Sequence, residues 1–523
     1  PGRRVDRGLQ PGRDRDGIHR PSPLQALKTG KGGQMETGTA ATRKVLVVGA
    51  GGREDAIGWA ISRSATISGP TVSEVKLWFY PGNAGTLRWG RNLSKDELAT
   101  TRLNEPSGRN QLAAGPDAAP ATGREIEQLT DWAVHQGIDL AVIGPEAYLA
   151  AGLADRLRAA GVDVVGPGLA GARIESSKAW AKEFMTRHGI PTARHQTFTR
   201  AELDDAREFV KKCRTPPVIK ADGLAAGKGV TVTSSTEQAL AALEALFVRD
   251  VLGKAGEVVV IEERMEGREV SLLALTDGHT LAILPEAQDH KRIGEGDTGP
   301  NTGGMGAYSP VPFFSGTVRE EAVQDVLLPA IRGLASEGIP YRGVLYAGLM
   351  LTADGPKVVE FNCRFGDPET QVILPRLDVD WFALFRSVAQ GRLGEYLRAC
   401  STARLLSHTS PGVPDVLDVW ELIPAVGAAL AVVVASQGYP GSYQTGFPIG
   451  GLASVRDLPQ VQVFHAGTRA GAAGEVLTAG GRVLNVVGTG DALAEARTRA
   501  YDALERVRFV NQYYRRDIGY QVL

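Results

Sequence analysis

The stretch of the chain that decides the fold is VVEFNCRFGDPETQ, residues 358–371. If residues 358–363 form a β-strand, side chains alternate between its faces, so Val358, Glu360 and Asn362 point the same way. A carboxylate and an amide carbonyl about 7 Å apart along a strand suit a hard cation such as Mg²⁺, whose octahedron is completed by water and phosphate oxygens. The alternative is an edge strand with a polar face, and the Glu-x-Asn pair alone does not decide between the two.

Length and composition indicate a globular protein of several domains. The chain has 523 residues, which is too many for one compact core, so about two to four domains are expected. The formal net charge of −1 argues against a broad nucleic-acid surface. The longest apolar run, near residues 422–435, contains Pro424 and Gly427 and is shorter than the roughly 20 residues of a membrane helix. We interpret this run as buried strand.

The cysteines indicate a reducing compartment, because the three of them are scattered and odd in number. We therefore expect a cytoplasmic protein. Residues 1–43 are predicted to be a disordered or non-native extension. Within it, a start of translation at Met35 and an organelle-targeting peptide are both open alternatives.

A βαβ series predicts a doubly wound, Rossmann-like substrate-binding domain over residues 44–173. The strand run at residues 44–48 ends in a glycine-rich turn and a helix-like segment, whose backbone N–H groups can bind an anion. A dinucleotide fingerprint would need a third glycine where Glu54 stands, and no acidic residue follows the second strand. A nicotinamide cofactor is therefore disfavoured and a phosphorylated small substrate is favoured. Residues 99–123 read as a loop insertion.

Phosphate-binding signals follow in the next part of the chain. The stretch Ser176-Ser177-Lys178 is predicted to open a helix with a serine cap, which puts Lys178 in its first turn. Residues 217–233 read as strand, glycine-rich loop and strand, and the second strand excludes a Walker A loop, which a helix would follow. We interpret the segment as a hairpin lid over phosphate, whose contacts are Lys220, Gly223, Gly227, Lys228 and Gly229. The alternatives are a solvated lysine and a plain flexible hairpin.

A predicted strand at residues 258–261 ends in Glu262 and Glu263, with backbone groups and the Glu262 side chain free. This strand end is a candidate hinge for an adenine ring, and Glu269 is placed to accept hydrogen bonds from ribose hydroxyls. The alternative is that these are ordinary surface acids. The glycine-rich segment 294–308 reads as a long loop that no core requires, and such loops are usually functional.

Residues 401–523 predict a small β-rich domain, because short apolar runs alternate with glycines before one final helical segment. No catalytic constellation is visible there. The whole chain is thus predicted to be an α/β protein that begins with a doubly wound domain and ends with a β-rich one.

Ten strings carry a resemblance to a known family: GAGGRE, PGNAGT, VIGPE, SSKAW, VIKADGLAAGKGV, VVVIEE, QDHKR, DTGPNTGGMGAYSP, LYAGLM and VVEFNCRFGDPETQ. The chain resembles the phosphoribosylamine–glycine ligases, or glycinamide ribonucleotide synthetases, which are ATP-grasp enzymes of purine biosynthesis. The resemblance runs from about residue 44 to residue 520. It implies ATP-grasp domains over residues 174–400, with a nucleotide lid at residues 191–270.

The resemblance also implies roles for single residues. Glu360 and Asn362 match ligands of Mg²⁺ or Mn²⁺, and Lys178 and Lys220 match lysines that bind the phosphates of the co-substrate ATP. The implied catalytic residues are Asp289, Lys291 and Arg364. The implied substrate-binding residues are Gly82, Asn83, Ala84, Gly85, Gly144, Pro145, Glu146, Asp289, Arg364 and Asp367.

The implied reaction joins glycine to 5-phosphoribosylamine through a glycyl phosphate, with Asp289 as candidate base and Arg364 on the glycine carboxylate. The family usually has histidine where Asp55 stands, which weakens the case for the phosphoribosylamine site. The rivals are another ATP-grasp ligase, a nicotinamide-dependent oxidoreductase and a non-catalytic nucleotide-binding regulator. We expect small-molecule substrates only, no nucleic acid, no membrane, and a monomer or weak homodimer.

Overall fold

The computed structural model describes residues 41–67, 72–100, 122–225, 229–407 and 418–523. Most of the predicted extension and of the predicted loop insertion therefore lies outside the described residues, as do Gly227 and Lys228. Within the described ranges, no helix is both long enough and apolar enough to cross a membrane.

The first sheet is parallel and doubly wound, as predicted. Its strands, in spatial order, are Arg91–Asn92, Val72–Pro81, Ala41–Gly49, Leu140–Ile143 and Asp163–Val165. Val45 to Val48 of the central strand are completely buried, as expected for a strand covered on both faces. The strand order reverses next to Ala41–Gly49. In such sheets the crevice for ligands lies at the carboxyl ends of the strands at this reversal.

The middle of the chain forms two further sheets. The segment predicted as a lid forms an antiparallel sheet, for which we keep the name lid. Its strands, in spatial order, are His195–Thr199, Val258–Glu262, Val218–Ala221 and Val230–Val232. The central sheet contains, in spatial order, Gly355–Asn362, Gly343–Thr352, Arg268–Thr276, Thr280–Ile283, Asp418–Leu422 and Ala403–Ser407. The strand that carries Glu360 and Asn362 therefore lies at the edge of the central sheet.

The last sheet draws strands from two distant parts of the sequence. Its strands are Gln288–Asp289, Gly306–Ser309, Ala428–Ser436, Arg482–Gly490 and Val461–His465, and Gln512–Tyr513 pairs with the third of them. The predicted long loop at residues 294–308 is therefore wrong. It contains part of a hairpin, Arg292–Gly294 with Thr298–Asn301, and then a strand of this last sheet.

Strand pairing also crosses the predicted boundary at residue 401, since residues 403–407 and 418–422 belong to the central sheet. The apolar run predicted as one buried strand is interrupted between Leu422 and Ala428. The domain boundaries themselves stay a prediction.

Helices cover the sheets and connect their strands. They are Gly52–Ile67, Lys95–Thr100, Gly123–Gln136, Glu146–Ala150, Leu153–Ala159, Leu169–Ser176, Lys178–Arg187, Leu203–Lys212, Thr236–Phe247, Thr317–Glu321, Leu328–Ser336, Thr370–Ile373, Trp381–Gln390, Leu393–Ala399, Leu452–Val455 and Leu493–Leu504. A second hairpin, Thr468–Ala470 with Val476–Thr478, falls along the chain between two strands of the last sheet, Val461–His465 and Arg482–Gly490.

Candidate active site

The sheets meet around a large cleft. It encloses about 3260 Å³ and is lined by residues from the first sheet, the lid, the central sheet and the last sheet. Pockets for one small molecule are typically about 300 to 1,000 Å³, so the cleft has room for several ligands at once.

Most of the residues that the sequence predicted for the site lie on the wall of this cleft. They are Gly82, Asn83, Pro145, Glu146, Lys178, Lys220, Gly229, Glu262, Glu263, Glu269, Asp289, Lys291, Glu360, Asn362, Arg364 and Asp367. Four predicted turn residues are not on the wall: Ala84, Gly85, Gly144 and Gly223. The functional roles of all these residues stay predictions.

A bulge in the strand Gly355–Asn362 corrects one prediction. Relative to the neighbouring strand, Val359 is an extra residue, so the alternation of faces is shifted at this point. Val358 therefore lies in the buried core and does not share a face with Glu360, as the period of two had predicted. Glu360 and Asn362 both still line the cleft.

Glu360 and Asn362 offer polar atoms that the protein leaves free. Neither side chain makes a hydrogen bond or an ion pair to a residue that the structure describes, although Asn362 is only 7% exposed. Burial alone raises the pKa of Glu360, but nearby cations, led by Lys291 and Lys220, bring it below its usual value. An ionised carboxylate beside a free amide oxygen is a donor set that suits a hard divalent ion.

A buried glutamate joins two lysines next to this pair. The carboxylate oxygens of Glu262 lie 2.9 Å from Nζ of Lys220 and 3.1 Å from Nζ of Lys182. Lys220 also donates to the carbonyl of Val359 at 3.0 Å, which ties the lid to the edge strand. The Glu262 side chain is therefore held by two cations. The sequence-based expectation that this side chain is free was wrong.

Lys182 is a residue of this site that the sequence reasoning missed. It lies one helical turn after Lys178, so both side chains project from the same face of the helix. Burial lowers the pKa of Lys182 to about 8, and the charge of Glu262 opposes this shift. The four-residue spacing from Lys178 was the signal that could have found it.

Lys178 begins its helix as predicted, with Ser177 as the N-cap residue. The Asp222 carboxylate accepts a hydrogen bond from the backbone N–H of Ala179 at 2.7 Å and from the Ser177 hydroxyl at 3.0 Å. These contacts hold the lid loop against the start of the helix. They keep Lys178 on the wall of the cleft, near the charges of the edge strand.

A second group of charges lies where the strand Gln288–Asp289 ends. Nζ of Lys291 lies 2.6 Å from the Glu269 carboxylate. Burial lowers the pKa of Lys291, but the carboxylates of Glu269 and Asp289 together raise it well above its usual value. Burial raises the pKa of Asp289 to about 8, with Lys291 opposing this shift and Glu369 adding to it. Near neutral pH, the site therefore combines a fixed cation with a carboxyl group that can exchange a proton.

Arg364 connects two carboxylates across the cleft. Its Nε lies 3.1 Å from Glu146 and its Nη2 lies 2.8 Å from Glu175. Glu175 also accepts a hydrogen bond from the backbone N–H of Cys363 at 2.8 Å, which fixes it in place. A guanidinium carries five N–H donors, so these partners leave donors of Arg364 for a ligand.

The glycine turn after the first strand is filled by the chain's own carboxylate. Glu54 accepts a hydrogen bond from the backbone N–H of Gly51 at 2.6 Å and from Nε of Arg53 at 2.5 Å. A β-carbon at Gly144 would lie 1.8 Å from a Glu54 oxygen, so any larger residue there would displace the Glu54 carboxylate. Glu54 therefore takes the N–H group that the predicted anion site would have used, in the position where a dinucleotide fold binds pyrophosphate.

Asn83 organises the turn after the second strand. Its side-chain oxygen accepts from the backbone N–H of Gly85 at 2.7 Å, and its amide donates to the carbonyl of His465 at 2.8 Å. This turn packs Gly85 against His465 and Asp55, which explains why Gly85 is absent from the cleft wall.

Asp55 belongs to the same junction and is also absent from the cleft wall. Its carboxylate accepts from Arg88 at 2.6 Å, from the Trp89 indole at 2.6 Å and from the backbone N–H of His465 at 2.7 Å. Burial raises the pKa of Asp55, and the charge of Arg88 opposes the shift. Asp55, which stands where the resembled family usually has histidine, therefore lies at a packing junction and not on the wall of the cleft.

The last part of the chain contributes to the cleft, although no constellation was visible there in the sequence. Arg482 donates to the carbonyl of Asp367 at 2.7 Å and lies 3.4 Å from its carboxylate. The Tyr439 hydroxyl accepts from the backbone N–H of Gly303 at 3.0 Å. All four residues line the cleft. No local pattern marks Arg482 or Tyr439, because their roles arise only when distant segments meet.

Comparisons with known proteins agree with this architecture. Three family models match, described as phosphoribosylglycinamide synthetase N domain, ATP-grasp (A) domain and C domain, over residues 43–175, 176–370 and 429–521. A phosphoribosylamine–glycine ligase of Nostoc sp. is 46% identical over 480 residues, which is 92% of this chain and 99% of that relative.

Solved structures give the same picture. The crystal structure of phosphoribosylamine–glycine ligase from Thermotoga maritima is 33% identical with a TM-score of 0.68, covering 91% of this chain and 100% of that one. The biotin carboxylase domain of a Hydrogenobacter thermophilus 2-oxoglutarate carboxylase, solved with MgADP, is 15% identical with a TM-score of 0.60. The match covers 90% of this chain and 91% of that one, and at this identity it shows only the shared fold.

The fold and the matched domains define an enzyme of the ATP-grasp class, a carbon–nitrogen ligase. The chain belongs to the phosphoribosylglycinamide synthetase family, over its N, A and C domains. The family resemblance and the fold class inferred from the sequence are thereby confirmed.

Proposed function

We propose that the chain catalyses the ATP-dependent ligation of glycine to 5-phosphoribosylamine, giving glycinamide ribonucleotide, ADP and phosphate in de novo purine biosynthesis. The relatives carry the name of this reaction. The observation that carries the proposal is the ionised carboxylate of Glu360 together with the neutral amide of Asn362, both without a partner among the described residues and beside a group of lysines. Phosphoryl transfer from ATP to a carboxylate needs such charge neutralisation and alignment more than it needs a nucleophilic side chain.

The nucleotide end of the cleft is assigned to the lid and the helix beside it. Lys178 and Lys220 would bind the phosphates, with the backbone of Gly229 in the turn just before the strand Val230–Val232. The strand end at Glu262 and Glu263 would receive the adenine ring. Glu262 supports this end by holding Lys220 at 2.9 Å, which keeps the ammonium oriented before ATP arrives.

The donor set of the edge strand fits a divalent ion, Mg²⁺ or Mn²⁺. Glu360 and Asn362 would hold it, because their oxygens have no other partner among the described residues. Among all the described residues, no group of three or more His, Cys, Asp or Glu side chains could hold a metal by itself. A bound ion would therefore complete its shell with water and phosphate oxygens, and it would neutralise charge on the transferring phosphoryl group.

The first step would form glycyl phosphate. A carboxylate oxygen of glycine attacks the γ-phosphorus of ATP, the bond from that phosphorus to the β–γ bridging oxygen breaks, and ADP leaves with the electron pair. Lys178 and Lys220, both on the cleft wall, would stabilise the charge that develops on the phosphoryl oxygens. Arg364 would orient the glycine carboxylate with donors that Glu146 and Glu175 leave unused.

The second step would form the amide. The nitrogen of 5-phosphoribosylamine attacks the carbonyl carbon of glycyl phosphate, the bond from that carbon to the phosphate oxygen breaks, and phosphate leaves. The nitrogen loses one proton, and Asp289 is the candidate acceptor because its pKa of about 8 matches that task. Lys291 would remain charged beside it and stabilise the oxyanion of the tetrahedral intermediate.

An assay of ADP release with each substrate omitted in turn tests the proposal. ADP should appear at the full rate only when ATP, glycine and 5-phosphoribosylamine are all present. Formate or bicarbonate should not replace glycine. Equal turnover with either acid would favour a different ATP-grasp ligase, and no turnover with any combination would favour a regulator that only binds nucleotide.

We propose that the protein is cytoplasmic, because its three scattered cysteines suit a reducing compartment. We also propose that it is a monomer or a weak homodimer. Sedimentation at several concentrations tests the assembly state.

A further inference from the structure

A segment near residue 515 lies against one wall of the cleft. The hairpin Arg292–Gly294 with Thr298–Asn301 contributes Arg292, Ile293, Asp297, Pro300 and Asn301 to that wall. Residues 513–521, which we call the clasp segment, contact this hairpin along its length. At one end, the hydroxyl of Tyr513 donates to the carbonyl of Ile293 at 2.8 Å. The backbone N–H of Arg516 donates to Glu295 at 3.1 Å.

Asp297, at the tip of the hairpin, is the centre of these contacts. Its carboxylate accepts from Arg515 at 2.7 Å, from the Tyr520 hydroxyl at 3.0 Å and from the Gln521 amide at 2.9 Å. Asp297 has a φ of 54°, a left-handed conformation that few non-glycine residues adopt. Arg515 is completely buried. Three donors from the clasp segment therefore hold the tip of the hairpin in an uncommon backbone conformation.

Asp517 adds a second attachment between the clasp segment and the hairpin. Its carboxylate accepts from Nε and Nη2 of Arg515, both at 2.8 Å, and from the backbone N–H of Gly296 at 2.8 Å. Arg515 also donates to the carbonyl of Arg292 at 3.0 Å. The buried guanidinium is thus fixed by carboxylates on both sides, which makes the attachment rigid.

The clasp segment also reaches the strand end that carries Asp289 and Lys291. The backbone N–H of Gly519 donates to Nε2 of His290 at 3.0 Å. Nε2 is therefore unprotonated and the proton of a neutral ring is on Nδ1, which lies 3.6 Å from Asp297. His290 stands between the two residues that the proposed function places at the bond-forming end of the cleft.

The residue that follows the hairpin holds the backbone of Lys291. The N–H and the hydroxyl of Thr302, which follows the hairpin, both donate to the carbonyl of Lys291, at 2.7 and 2.9 Å. The N–H of Met305 donates to the carbonyl of His290 at 2.8 Å. A displacement of the hairpin would therefore move Lys291 and its neighbours together.

We propose that Arg515, Tyr520 and Gln521 are positioning residues, which act through Asp297 and His290 to hold Asp289 and Lys291 in register for the bond-forming step. This inference rests on the proposed function. Lys178, Lys182 and Lys220 lie in the lid and its adjoining helix, and no hydrogen bond or ion pair joins any of them to the clasp segment among the described residues. The clasp segment therefore acts on the step in which Asp289 and Lys291 take part and not on the lysines proposed to bind the phosphates of ATP.

The test uses the full chain with the double substitution Tyr520→Phe and Gln521→Leu. These changes keep the size of both side chains and remove two of the three donors to Asp297. Tyr514→Phe is the matched control, because the Tyr514 hydroxyl makes no hydrogen bond to a described residue and its ring packs on the core. Arg515 is left unchanged, since its substitution could prevent folding.

Three readouts separate positioning from general damage. We expect kcat to fall roughly tenfold in the double variant, because Asp289 and Lys291 act in the bond-forming step and small displacements of positioned groups are costly. The KM for ATP should stay at the wild-type value, and the melting temperature should fall only by a few degrees, as expected for two lost hydrogen bonds. Amide hydrogen exchange of peptides over residues 292–303 should become about tenfold faster or more, while that over residues 343–362 stays unchanged. The control should match wild type in all three.

Two results would overturn the inference. One is a double variant with wild-type kcat and wild-type exchange over residues 292–303. The other is a loss of activity that follows the loss of folded protein and affects all three substrates equally. If wild type itself fails to release ADP with glycine and 5-phosphoribosylamine, the proposed function fails, while the exchange measurement still decides whether the clasp segment holds the hairpin.

Discussion

Glu262 and Lys220 form an ion pair 2.9 Å long, in which both side chains are almost completely buried. Lys182 lies 3.1 Å from the other oxygen of the same carboxylate. Two ammonium groups therefore share one anion beneath the nucleotide end of the cleft. Removing the anion would leave two like charges buried together, whereas removing one cation would leave a neutral pair.

Glu262→Gln is therefore expected to destabilise the protein more than Lys182→Met. The first change should lower the free energy of unfolding by about 3 kcal/mol or more, since it uncouples buried charges. The second should cost clearly less, because Lys220 keeps its partner and methionine fills a similar volume. Urea unfolding of both variants beside wild type measures the difference, and equal costs would contradict the shared anion.

Asp289 leads to an expected pH profile. Only its ionised form can accept a proton, so kcat/KM should rise with pH, with a midpoint near the pKa of about 8, and then level off. Asp289→Asn should remove this rise and lower the plateau by about 10²-fold. Initial rates measured from about pH 6 to pH 10 test both statements. A variant that keeps the same rise would show that another group titrates.

Asp55→Asn should affect stability and not substrate binding. Asp55 is completely buried, accepts from Arg88, Trp89 and the backbone of His465, and is absent from the cleft wall. Asparagine can satisfy only some of these donors, so we expect a loss of about 2 kcal/mol in the free energy of unfolding. The KM for 5-phosphoribosylamine should be unchanged. A raised KM with normal stability would instead place Asp55 at the substrate site.

Local patterns predicted the elements that position the site. A capping serine and the stop signals after it predicted the helix Lys178–Arg187, and a short apolar run before a glycine turn predicted the strand Ala41–Gly49. Such signals depend on residues next to each other in the chain, which is why they can be read without a structure. The resemblance to a known family, more than any local pattern, supplied most of the predicted wall residues.

Contacts between distant segments could not be read in this way. The strand Gly306–Ser309 pairs with Ala428–Ser436, and the bulge at Val359 exists only relative to its neighbouring strand. A period of two within one strand carries no information about its partner or about an inserted residue. The contact of Arg482 with Asp367 has the same origin, since it joins residues that lie far apart in the sequence.

In the proposed function, Glu360 and Asn362 hold a divalent ion against ATP so that glycine can be activated. Glu360→Ala tests it, with Glu320→Ala, an exposed glutamate on the helix Thr317–Glu321, as the matched control.

The deciding measurement is ADP release by Glu360→Ala with ATP, glycine, 5-phosphoribosylamine and Mg²⁺ all present, on protein whose circular dichroism and melting temperature match wild type. We expect a loss on the order of 10²-fold or more, with the control at the wild-type rate. A folded Glu360→Ala protein that turns over near the wild-type rate would contradict the account.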